Sequence, residues 1–167
     1  KIYKMLLMKK VFYINDKLRG LLSNIIYDIQ NYNSTIIKYV EIMSNGIDSF
    51  DYIEESKKSI LRQSFLIDKV MKMFYDFNDI NSNNLVLNKT FESIDKIIKN
   101  IANDFEDLFL SKRIKVKFEN EGNKNNYKAL LDKSKIDNAI SSIFLFIYNI
   151  AKVNSFISIS HGLVDYN

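Results

Sequence analysis

The chain has no cysteine, no proline and a single histidine, His161. Without cysteine it can build neither a disulfide framework nor a thiolate metal site. One histidine excludes a multi-histidine metal site within one chain. The missing proline goes with an abundance of Asn, Lys, Ile and Tyr, a composition that AT-rich coding produces without functional demand. No uninterrupted apolar stretch approaches the roughly 18–20 residues that a membrane span needs. The stretch "YKMLLMKKVFYI" is short, is broken by Lys9 and Lys10, and lacks a signal-peptide cleavage pattern. Strong charge of one sign is also missing. The net charge is +4, with acids and bases mixed along the whole chain, as on solvated helix faces. A nucleic-acid surface needs clustered basic residues, so no nucleic-acid partner is expected.

What is present is a globular balance: 167 residues, 47% hydrophobic and 26% charged, enough to bury a core in one ordinary domain or two small ones. The first residue is Lys1 rather than Met, as expected of a piece of a longer protein. That leaves room for a membrane segment upstream, and residues 1–167 are expected in the cytoplasm.

The first half carries two helical patterns. Val11, Ile14, Leu18, Leu21, Ile25, Ile29, Tyr32, Ile36, Val40 and Met43 recur at steps of three and four, an apolar stripe on one helix face. "SNGIDSF" interrupts it, with Gly46 suited to the left-handed C-cap position. Ile53, Ile60, Ile67 and Phe74 then follow at seven-residue steps, with Val70 and Phe77 between the later ones, a heptad seam. Joined by a short turn, the two helices make an antiparallel hairpin. Leu22, Ile26, Ile37 and Phe65 widen the apolar surface beyond what one hairpin can shield. Pairing two hairpins into a four-helix bundle would bury it. Packing of the hairpin on its own C-terminal half is the alternative.

"NDINSNN", residues 78–84, reads as a linker. Beyond it the pattern predicts a strand at "LVLNKTF". Ser93 then caps a helix with Ile94, Ile97, Ile98, Ile101, Phe105 and Leu108 on one face. A half-buried strand follows, alternating Ile114, Val116 and Phe118 with polar residues. After the loop "EGNKNNY" comes a short strand at "KALLD". Ser134 and Asp137 resemble a capping box, opening a helix with Ile136, Ala139, Ile140, Ile143, Ile147 and Ala151 inward. "SFISISHG" is a last strand. The expected class is α+β: a hairpin domain over residues 1–80, then a small, incomplete α/β sandwich over 81–167 with helices on one face of a sheet.

The order of these elements and their local residues resemble a sensor histidine kinase over nearly the whole chain. Leu21–Glu41 is similar to the first helix of that family's dimerisation and phosphoacceptor domain. The family has a His, an acid, two variable residues, then Thr or Asn, usually followed by Pro. Here the run is Tyr27, Asp28, Ile29, Gln30, Asn31, Tyr32. The acid and the Asn match; the His and the Pro do not. "LLDKSKIDNAISSIFLFIYNIAKVNSFISIS" resembles the Asp-Pro-x-x-Leu start and the N-box helix of the family's ATP-binding domain. Counted back from "ISIS", the N-box Asn falls at Phe146 and the box's other Asn-like position at Ser142. The glycine-rich boxes that hold adenine lie beyond the span of the resemblance.

The resemblance therefore implies a degenerate member of the family. Neutral imidazole is a good nucleophile near pH 7, whereas a phenol with a pKa of about 10 is a weak one, so Tyr27 does not replace it in a phosphorelay. His161, at the end of a predicted strand, reads as an ordinary surface residue. The N-box Asn gives an oxygen to Mg²⁺, which Phe146 lacks, so neither ATP nor Mg²⁺ is expected to bind. The expected role is a non-catalytic homodimer that binds a response-regulator receiver domain or a kinase around Tyr27. An enzymatic alternative keeps Asp28 and Asn31 as a receiver phosphatase site, since the family's Thr or Asn is thought to position the attacking water. A divergent kinase with its box shifted to Asn149 is a variant of that alternative. A third reading drops the family for a helical adaptor with an unrelated partner.

Overall fold

The structure is a computed structural model and describes residues 2–45, 49–82, 84–119 and 128–160, with the side chains of Asp16 and of Leu18 onward. Gly46, the loop 121–127, His161 and the side chains of Val11 and Ile14 lie outside the described residues. The chain divides into two compact units, Lys1–Phe74 and Tyr75–Asn167, with the division falling inside a helix. No described helix is long and apolar enough to cross a membrane.

The first unit is the helical hairpin, α1 (Ile2–Ser44) and most of α2 (Phe50–Asn81). Residues buried on α2 are Ser56, Ser59, Leu66 and Val70, a seam at three-, four- and seven-residue spacing. The heptad Ile53, Ile60, Ile67, Phe74 flanks this seam and is only half-buried. Two of these four buried residues are serines, which hide the seam from a hydrophobicity pattern. The Ser59 hydroxyl is satisfied locally: Arg62 Nη2 donates to Ser59 Oγ at 2.8 Å and to Glu55 Oε1 at 2.6 Å. A buried hydroxyl left unpaired would cost stability, so this cluster is what lets a polar residue sit there.

The second unit holds the end of α2 and a small α/β layer: β1 (Thr90–Ser93), α3 (Ile94–Asp104), α4 (Glu106–Ser111), β2 (Lys115–Phe118), β3 (Lys128–Leu131), α5 (Lys133–Ile150) and β4 (Phe156–Ile159). Its described strands form two separate pairs rather than one sheet. β1 runs antiparallel to β3, from Thr90↔Leu131 to Ser93↔Lys128. β2 runs parallel to β4, from Lys115↔Phe156 to Phe118↔Ile159. A parallel pair needs a long crossover, and α5 lies within it.

Strand β1 starts later than "LVLNKTF" implies. Residues 84–89 have no strand partner, and the Asn88 N–H donates instead to Asp132 Oδ2 at 2.7 Å. Ser93 caps α3 as its sequence predicts, accepting from the Lys96 N–H at 3.4 Å. The helix read through Leu108 breaks at Phe105 into α3 and α4. The cap of α5 is Asp132 rather than the Ser134–Asp137 pair. Its extended backbone starts the helix at Lys133, and its side chain accepts the Lys135 N–H at 3.0 Å.

The core of this unit is aromatic. Phe105 is fully buried, with its ring centroid 5.8 Å from Phe109 and 5.5 Å, edge-on, from Phe144. Phe109 lies 5.9 Å from Phe144 and 6.4 Å from Tyr148. Ile97, Ile101, Leu108, Ile114 and Leu145 complete it. This cluster sets the rotation of α5. Ser141, Phe144 and Leu145 point inward, while Ala139 and Ile143, expected inward, are exposed. A large ring wins the inward position over a branched aliphatic side chain because it buries more area against other rings.

Phe105→Ala should cost about 3–5 kcal/mol in urea-induced unfolding. A cost below about 1 kcal/mol would mean that the three rings do not hold α3, α4 and α5 together.

Candidate functional site

The resemblance points to two faces, one in each compact unit. On α1, Tyr27 is 65% exposed and its phenol faces solvent. Asp28, the next residue, is half-buried, and Asn31, one turn on, is exposed. The Thr35 hydroxyl donates to the Asn31 carbonyl at 2.9 Å, a contact within the helix that leaves the Asn31 amide at the surface. The three residues therefore sit within about one turn. They offer one phenol, one carboxylate and one amide, without an imidazole.

On α5, Phe146 is 62% exposed rather than enclosed. Ser142 is half-buried, and its hydroxyl donates to the Asn138 carbonyl at 2.7 Å, so its proton is engaged in the helix. Asn149 is exposed in the last turn. Ile143, Phe146 and Ile150 form an exposed apolar stripe on this helix at steps of three and four. Among the described residues, no group of three or more His, Cys, Asp or Glu is placed to hold a metal ion.

The N-terminal end of α5 is held by a polar cluster. Lys135 Nζ pairs with Asp76 and lies 3.6 Å from Asp79 Oδ2, both in the last turns of α2. Asn138 Nδ2 donates to Asp76 Oδ2 at 2.6 Å. The hydrogen bond to Asp76 raises the Lys135 ammonium above its ordinary 10.5. The Asn88 N–H and then the Lys135 N–H hold the Asp132 carboxyl below its ordinary 3.8. Asp132 thus joins the segment before β1 to the start of α5, and Asp76 joins the end of α2 to the same turn. The sequence reading missed both. Asp132 was visible as a helix cap, since an acid directly precedes the helical pattern. The Asp76–Lys135 pair, 59 residues apart, left no local signal.

No family model matches the chain, and no curated protein matches it. Among solved structures it is similar to the Acinetobacter baumannii histidine kinase AdeS. The TM-score is 0.48 and the identity 10%, over 81% of this chain and 65% of that one. The chain thus spans 65% of the length of that kinase chain. At this TM-score the likeness carries no statement about chemistry, partners or assembly.

A carboxyl held low in the folded chain adds stability above its ordinary value, and that stability is lost as pH falls through the folded value. Below about pH 4 the parent should therefore lose stability with falling pH more steeply than Asp132→Asn, which keeps a capping side chain but does not titrate. Unfolding midpoints from pH 6 to pH 2.5 test this. Parallel curves would show that Asp132 is not a specific acid-sensitive tie.

Proposed function

We propose that the chain is a non-catalytic, histidine-kinase-like signalling module, cytoplasmic, that dimerises through its hairpin and docks a two-component partner. That partner is a receiver domain or a kinase, received on the face around Tyr27. One observation carries the reading: Leu21, Leu22, Ile26, Ile37 and Val40 on α1 and Leu61 on α2 remain exposed. Exposed apolar side chains repeated along a helix mark an interaction surface. A second hairpin covers it with the same interdigitating geometry that two helices already use.

Neither face carries the groups that phosphoryl transfer to a histidine relay needs. Tyr27 supplies a phenol, a weak nucleophile whose phosphate is a stable ester rather than a labile phosphoramidate. Phe146 supplies no oxygen to a hard cation. With neither a nucleophile nor a metal ligand, phosphoryl transfer has nothing to position it. The second reading, a receiver phosphatase, is favoured by the exposed Asn31 beside Asp28. In that reading its amide orients a water toward an aspartyl phosphate on a partner.

Calorimetry with Mg²⁺ and ATP should give no saturable heat, and radioactive ATP should leave the chain unlabelled. Micromolar binding would overturn the non-catalytic reading. A phosphorylated receiver should lose phosphate at the same rate with and without the chain. Acceleration that Asn31→Ala abolishes, with dimerisation intact, would replace this reading with the phosphatase. Ile26 is 48% exposed, so Ile26→Asp should leave each hairpin folded. It should weaken self-association about a hundredfold or more in light scattering, since a carboxylate would be trapped in an apolar seam.

A further inference from the structure

A cleft of the second unit lies apart from the faces of α1 and α5. It lies where the turn between α4 and β2 meets the turn between α5 and β4, at the start of the parallel strand pair. Its volume is about 460 Å³, and Arg113, Lys115, Asn154, Ser155 and Phe156 line it. That volume falls within the range of small-molecule sites.

Each of the two turns contains a non-glycine residue of positive φ. Arg113 has φ 55° and Asn154 has φ 64°, the left-handed region that non-glycine residues enter at a cost. Asparagine tolerates that region; arginine is an uncommon choice there. The two turns also hold each other. The Asn154 N–H donates to the Lys112 carbonyl and the Lys115 N–H to the Ser155 carbonyl, each at 3.1 Å. Within the first turn the Arg113 N–H reaches the Leu110 carbonyl at 2.9 Å. The backbone around the cleft is therefore fixed before any ligand arrives.

The side chains present one kind of chemistry. Arg113 and Lys115 are exposed, and neither is paired with a carboxylate among the described residues. Lys115 also borders a second cleft that contains Glu106, so Arg113 is the cation committed to this one. Among the described residues, Ser155 Oγ is the buried side-chain oxygen that finds no hydrogen-bond partner. A native structure rarely leaves such a group unsatisfied without a reason. Its hydroxyl, the guanidinium and the ammonium are all donors, and the Asn154 amide adds another. The matching ligand is an anion with several acceptor oxygens. Phosphate satisfies more of these donors than a carboxylate does and carries more charge. Phe156, 76% exposed on the cleft wall, gives an apolar surface for an organic group attached to that phosphate.

We propose that this cleft binds a phosphate monoester, with Arg113, Lys115 and Ser155 on the phosphate and Phe156 against the organic part. The test is a titration of the full chain with phenyl phosphate and with inorganic phosphate at fixed ionic strength, followed by backbone amide NMR. The expected result is saturable shifts confined to residues 112–115 and 153–156, with phenyl phosphate binding more tightly. Arg113→Asn keeps a residue suited to positive φ, and Ser155→Ala removes one oxygen. Each should weaken binding about tenfold, while spectra away from the two turns stay unchanged. Phe156→Ser should bring phenyl phosphate down to the affinity of inorganic phosphate. Non-saturating shifts spread over lysines elsewhere would overturn the site. So would well-folded Arg113 and Ser155 variants that bind like the parent. Equal affinity of the parent for the two probes would overturn the monoester assignment.

Discussion

A helix with one apolar face has to cover it, and two helices in a hairpin cover only the seam between them. Everything proposed for the first unit depends on that constraint. α2 spends its most buried positions on Ser56, Ser59, Leu66 and Val70, leaving Ile53, Ile60 and Ile67 half in solvent. α1 leaves Leu22, Ile26 and Ile37 nearly half exposed. Burial of apolar area yields roughly 25 cal/mol per Å², so even part of this surface is worth several kcal/mol if a second copy removes it from water. Area alone does not set affinity, because association also costs translational, rotational and side-chain freedom.

The second unit solves its packing internally. Three phenylalanines from α4, α5 and the break between α3 and α4 meet in one cluster. That arrangement fixes the rotation of α5, which turns Phe146 outward and sets the two turns beside each other at the start of β2 and β4. The polar cluster of Asp76, Lys135, Asn138 and Asp132 then ties the first turns of α5 to the end of α2 and to the segment before β1. Lys112 adds a similar tie at the other end of α5, donating to the Tyr148 carbonyl with its ammonium 4.1 Å from that ring's centroid.

Much of this architecture was legible in local pattern. The alternation of Ile114, Val116 and Phe118 marked β2, and Ile97, Ile101, Phe105 and Leu108 marked the buried face of α3 and α4. Ser93 marked a cap. Each works because a period of two or 3.6 reports which face is buried. The pattern failed where burial is polar or nonlocal. Ser56 and Ser59 carry no hydrophobic signal although they are buried on α2. The rotation of α5 is decided by rings on other elements, which the spacing of its own aliphatic residues cannot show. The left-handed turns at Arg113 and Asn154 lack the glycine that usually announces them. At the α1 site the identity of each residue was plain from the start. What the fold adds is their exposure: Tyr27 and Asn31 face solvent, and Asp28 lies half-covered.

The claim that two hairpins seal one another is tested most directly by sedimentation equilibrium of the full chain from low to high micromolar concentration. The expected mass is twice that of the 19.6 kDa chain and persists on dilution to the low end. A mass of one chain throughout, with the apolar residues of α1 still in water, would contradict it.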